Sequence, residues 1–119
     1  MQLGTSAVEL LADLGPEPTD HVVQKTHGLA SFRTTGADAT LRNLGVTNIV
    51  LTGVSLNVAI PTLTFEAVNL GFRVVIPRDA VAGVPPEYAD DVLQHSLSLV
   101  AEIVTTDEIL TVWPTPGGA

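Results

Sequence analysis

Ile49-Val50-Leu51-Thr52-Gly53-Val54-Ser55-Leu56-Asn57-Val58-Ala59-Ile60 is the stretch from which the fold can be read. An apolar run ends at a glycine, and a helix-like segment follows. A run of this kind, apolar throughout rather than alternating, suits a strand buried on both faces of a parallel sheet. Strand, sharp turn and helix start together make a place for chemistry. The first N–H groups of a helix have no intrahelical partners and attract negative charge. The residue at the focus of this turn is Ala59, whose methyl group can do no covalent chemistry.

Working outward, the pattern alternates helix and strand. Ser6 and Glu9 have capping-box spacing ahead of the apolar stripe Val8, Leu11 and Ala12, which Gly15-Pro16 ends. His21 to Lys25 reads as a strand, and Thr26 to Gly36 as a loop. Asp38 to Leu44 reads as a short helix with Gly45 at its C′ position. Asn48 to Val54 is the next strand. Pro61 suits the first turn of the following helix, and Gly71 suits its end. Arg73 to Ile76 is a third strand and Ala80 to Pro86 a turn-rich loop. Pro86 to Val100 reads as a helix with Ala89, Val92, Leu93, Ser96, Leu97 and Val100 on one face. Glu102 to Thr105 is a last strand, and a turn or helix begins at Thr106. This order predicts an α/β fold with a parallel sheet, occupying residues 1–113, and a frayed tail at 114–119.

Composition narrows the function classes. Thirteen acidic residues against five basic ones give a formal net charge of −8, which argues against charge-driven binding to nucleic acid or an anionic membrane. With no cysteine, the chain has no disulfide, no thiolate metal site and no Cys nucleophile of its own. No segment has the length of a membrane span, and no signal peptide is evident, so a cytoplasmic location is expected. His21, His27 and His95 lack metal-ligand spacing, and neither a metal nor a cofactor is expected.

Three blocks resemble the isochorismatase-like hydrolases, the family that includes nicotinamidases and other cysteine amidohydrolases. Lys25 followed by Ala30-Ser31-Phe32 resembles the family's Lys strand and "SAF" segment. Leu51 to Ile60 resembles its nucleophile turn, "LTGV-x-TN-x-CV". Glu66-Ala67, Gly71-Phe72-Arg73-Val74 and Asp79-Ala80 resemble "DA…GY-x-V…DA", and Val104 to Leu110 fits the segment that follows. The resemblance implies a three-layer, doubly wound, Rossmann-like parallel sheet with strand order 3-2-1-4-5-6. It also implies a cis peptide at Val54-Ser55. The family's Cys falls on Ala59, which rules out thiolate attack here. Isochorismatases proper also lack that Cys and cleave a vinyl ether by acid catalysis with an Asp. The strand that carries this Asp has no counterpart in the chain, since Asp13 and Asp20 fall in a helix and a loop. Strands 1 and 2 would lie between His21–Lys25 and Asn48–Val54. The chain is therefore expected to be a fragment, to have a misassigned start, or to be completed by another chain.

On this resemblance Lys25 holds an anionic substrate group or tunes a neighbouring Asp, and the Ser55 and Ala59 amides act as oxyanion donors. Asn57 is read as a helix cap ahead of a substrate contact, and Phe32 as core ahead of a pocket wall. Asp79 is read as bonding backbone amides in its loop, and Tyr88 and Trp113 as packing or interface residues. Two functions are expected as alternatives. One is a hydrolase without a Cys nucleophile, acting on a small molecule with an Asp from outside the chain as acid. The other is a non-catalytic pseudo-hydrolase subunit or fragment with a role in assembly. A homo-oligomer, or a chain supplying the N-terminal half, is the expected partner.

Overall fold

The computed structural model describes residues 10, 12–25 and 27–114. The Ser6–Glu9 capping box and the tail at 115–119 lie outside the described residues. Four helices and five short strands alternate in the described chain: α1 (Ala37–Asn43), β1 (Asn48–Val50), β2 (Gly53–Val54), α2 (Ala59–Asn69), β3 (Arg73–Pro77), β4 (Val81–Ala82), α3 (Pro86–His95), β5 (Glu102–Val104) and α4 (Thr106–Val112). Three strands form a parallel sheet in the order β1-β3-β5, and β2 pairs with β4 in a second, two-stranded parallel ladder.

Central β3 is held on both edges. Ile49 lies opposite Val74 on one side, and Ile76 lies opposite Ile103 on the other. Val74 and Ile76 are buried and belong to one core cluster with Ile49, Leu51, Leu56, Ile60 and Leu93. α2 packs on β3 and contributes Ile60, Thr64 and Ala67 to the interior. The buried Thr64 hydroxyl donates to the Ile60 carbonyl one turn back, 2.7 Å away, so it adds no unpaired polar group to the core. Arg42 of α1 donates to the Leu70 carbonyl at the end of α2 and lies over the Phe72 ring, 4.9 Å from its centre. This pins the small helix to the larger one. Across β3 and β5, Arg73 and Glu102 form an exposed ion pair at 3.6 Å, a contact of a kind worth at most about 1 kcal/mol.

Several sequence expectations need correction. Residues 21–25 form no strand: they are exposed, and no described strand edge is there to take their backbone groups. The Asn48–Val54 run is two strands, because the chain leaves β1 at Leu51-Thr52 to pair with β4. The loop at 80–86 accordingly contains β4. α3 stops at His95, and a 3-10 turn over Leu97–Leu99 follows; the tighter turn keeps Leu97 fully buried while Ser96 and Val100 face solvent. Of the two roles expected of Tyr88 and Trp113, core packing does not hold, since both are half-exposed or more, and that exposure suits the interface role.

β1 has one unused edge. Thr47, Ile49 and Leu51 direct their backbone groups at β3, as shown by Arg73 N–H donating to Thr47 O at 2.9 Å and Leu51 N–H donating to Val75 O at 3.0 Å. By strand alternation, Asn48 and Val50 direct theirs outward, where no described strand lies. The three-stranded parallel sheet agrees with the expected α/β fold class.

Candidate active site

The Gly53–Ala59 turn is built by the β2–β4 ladder. Gly53 N–H donates to Ala80 O at 2.9 Å, and Leu56 N–H donates to Ala82 O at 2.8 Å. Gly53 has φ +113°, a backbone conformation that side chains oppose, so a glycine is needed at that point. The Val54-Ser55 peptide is cis, as the resemblance implied. Leu56 turns inward and is 2% exposed, which anchors the turn to the core. The Ser55 carbonyl then accepts from Ile60 N–H at 3.0 Å, closing the chain into α2.

The result is a set of amides without internal partners. No described residue accepts a hydrogen bond from the N–H of Ser55, Asn57, Val58 or Ala59. They lie at the positive end of an eleven-residue helix. Such a turn can hold an anion or a developing oxyanion.

The other side chains are distributed around this turn. Asn57 does not cap α2. Its carboxamide instead pairs with the backbone of Val84, accepting from Val84 N–H at 2.9 Å and donating to Val84 O at 2.6 Å. This ties the loop after β4 to the turn. Gly83 makes the approach possible, because a Cβ there would sit 2.9 Å from Asn57 Oδ1 and 3.0 Å from Leu56 Cβ. Lys25 is exposed, and its Nζ donates to Gly28 O in its own loop at 2.6 Å. No described hydrogen bond links it to the turn. Phe32 is buried in the same core cluster as Leu56 and Ile60.

Asp79 serves structure, and its main partner lies outside its own loop. Its Oδ1 accepts from the Thr106 N–H at 2.8 Å and the Thr106 hydroxyl at 2.9 Å, fixing the start of α4. A reciprocal capping box between Thr105 and Glu108 completes that helix start. The backbone and side-chain hydrogen bonds from Thr106 hold the Asp79 carboxyl below its ordinary pKa. A lowered folded-state value means that the contact is fully present above about pH 4 and is lost as pH falls through that lowered value. The Thr106 amide should therefore lose protection from hydrogen exchange only as pH falls below about 4. In Asp79→Asn that protection should be weak at pH 6 and show no acid step. An identical acid profile in the variant would remove Asp79 from the account.

Sequence reasoning missed two contacts, the Asn57–Val84 pairing and a clamp made by Glu66. Glu66 accepts from Ser31 Oγ, Phe32 N–H and Arg33 N–H at 2.9–3.1 Å. A signal for the second was present: an acidic residue lies in α2 among Leu63, Ala67 and Leu70, on the side that packs inward.

The comparisons with known proteins agree with this architecture. An isochorismatase domain model matches residues 1–108. Streptothricin hydrolase of Streptomyces noursei is 36% identical over 109 residues, covering 88% of this chain and 39% of the relative. A ureidoacrylate amidohydrolase of Variovorax paradoxus (strain S110) is 38% identical over 72 residues, 60% of this chain and 28% of that protein. The chain thus spans well under half the length of either relative. An isochorismatase-like hydrolase from Alkaliphilus metalliredigens superposes with a TM-score of 0.85 at 27% identity, over 92% of this chain and 60% of the other. A nicotinamidase from Staphylococcus aureus superposes with a TM-score of 0.75 at 25% identity, over 87% of this chain and 69% of the other. With its helix-starting turn, its parallel sheet and a domain match that runs through nearly all of its length, the chain belongs to the isochorismatase family.

Proposed function

We propose that this chain provides the anion-holding half of an isochorismatase-type hydrolase that works without a Cys nucleophile. The observation that carries this reading is the Gly53–Ala59 turn, with the amides of Ser55 and Ala59 unpartnered among the described residues. Ala59 stands at the position of the family's nucleophile, so chemistry passes to an Asp supplied from outside the chain. That Asp protonates a vinyl ether carbon, water adds to the resulting oxocarbenium, and the hemiketal breaks down. The Ser55 and Ala59 amides, with Lys25, hold the negative charge of a small anionic substrate. Asn57 and Phe32 support the walls. The acid arrives on a segment, from the same polypeptide or a second chain, that pairs along the outer edge of β1.

Turnover of an isochorismate-type vinyl ether by the chain together with its acid-bearing segment tests the reading. In Lys25→Ala the rate should fall about 100-fold, the scale of a lost polar catalytic group. Unchanged turnover in that variant would remove Lys25 from the site.

A second reading rests on the methyl group at Ala59 together with the open β1 edge. In it the chain is a non-catalytic subunit whose exposed edge builds an oligomer. A monodisperse, folded oligomer on size-exclusion chromatography with light scattering, devoid of turnover on the vinyl ether even with the acid-bearing segment supplied, favours this alternative.

A further inference from the structure

We propose that Glu66 is a positioning residue that fixes the Ser31–Arg33 turn on the same face of α2 that starts at Ala59. Seven residues separate Ala59 from Glu66, about two helical turns, so their side chains lie within about 20° of one another around the helix axis. The Glu66 carboxylate reaches a segment more than thirty residues earlier in sequence. Its Oε1 accepts from Ser31 Oγ at 3.0 Å, from Phe32 N–H at 3.1 Å and from Arg33 N–H at 2.9 Å, and its Oε2 accepts from Phe32 N–H at 3.1 Å.

These donors are the opening groups of a tight turn. The Ser31 hydroxyl also accepts from Thr34 N–H at 3.3 Å, and Gly36 N–H donates to Arg33 O at 3.2 Å. Glu66 thus acts on this turn as a remote anionic cap. Among the described residues no Lys or Arg forms an ion pair with it, so its charge is met by backbone and hydroxyl donors alone. Phe32, buried in the core, would fix the depth of the turn, whereas the carboxylate fixes its height along α2. The segment bearing Lys25 runs directly into this turn. Glu66 therefore sets where the turn that follows Lys25 in sequence meets α2, and the bearing of this on turnover rests on the function proposed above.

A carboxylate offers two acceptor oxygens to converging N–H groups. A carboxamide offers one, and its NH2 opposes the second donor. The test is amide hydrogen exchange by NMR on the full chain, comparing wild type, Glu66→Gln and Glu66→Asp, together with kcat and KM on the isochorismate-type vinyl ether with the acid-bearing segment supplied. In Glu66→Gln, Phe32 and Arg33 should exchange at least about tenfold faster, the scale of losing a charge-assisted hydrogen bond. Ile49 and Val75 in the sheet should be unchanged, and Glu66→Asp should restore most of the protection. Over the same series kcat/KM should fall with KM rising, because the segment positioned by this turn carries Lys25, which holds the charge of the substrate. Unchanged exchange at Phe32 and Arg33 overturns the clamp. Equal acceleration at Ile49 and Val75 shows a residue of the general fold and overturns it too. Local loosening with kcat/KM intact overturns the positioning role. A wild-type chain with no turnover even when the acid-bearing segment is supplied defeats the functional reading alone, and the exchange comparison then decides the clamp.

Discussion

Leu56→Ala is expected to lower the unfolding free energy by about 2–5 kcal/mol, the cost of deleting a buried leucine side chain where the surroundings collapse only partly. Leu56 is 2% exposed and shares a core cluster with Ile60, Val74 and Ala89. It also lies between Ser55 and Ala59, so its packing is what anchors the free amides. The effect should therefore be double. Urea unfolding should show the lower midpoint, and NMR should show the Ser55 and Ala59 amide signals shifting or broadening before the sheet melts. A loss under 1 kcal/mol would mean that the turn is held by the β2–β4 ladder and the Asn57–Val84 pairing rather than by the core.

Ala59→Cys should yield a thiol with an unusually low pKa. The chain has no other cysteine, so the introduced thiol is read without background. A free thiol titrates near 8.5, and helix N-termini lower that value through their unpaired N–H groups. Here the turn leaves the amides of Ser55, Asn57, Val58 and Ala59 without described partners at the start of α2. The pH dependence of alkylation, or the thiolate absorbance, should give a midpoint at least one unit below that of a thiol placed at exposed Ser98 by Ser98→Cys. Equal midpoints would show that the amides do not face the residue 59 side chain, and the oxyanion role would go with them.

Both predictions concern one turn, yet its parts differed in how far they could be read from the sequence. The glycine at 53, the helix start near Ala59 and the neighbouring strand were legible because each depends on local rules: backbone freedom, unpaired helix amides and a continuous apolar run. Asn57 was misread as a cap because local rules favour Asn near a helix start. Its actual partner, Val84, lies 27 residues away. The His21–Lys25 segment was misread for a related reason. Its residues suit a strand, but a strand exists only where a partner pairs with it, and no described strand pairs with this segment. The break of Asn48–Val54 into two strands likewise follows from the choice of partner, β3 for one half and β4 for the other.

What the sequence determined by itself was the alternation of helices and parallel strands, the turn after Gly53, and the absence of thiol chemistry. These follow from periodicity, from glycine and proline, and from residue identity, none of which needs a distant neighbour. The tertiary structure alone decided which carboxylates and amides meet: Glu66 with Ser31–Arg33, Asp79 with Thr106 and Asn57 with Val84. Side-chain hydrogen bonds across 27 to 35 residues carry no periodic signal. They become visible only when folding brings the two segments within about 3 Å of each other.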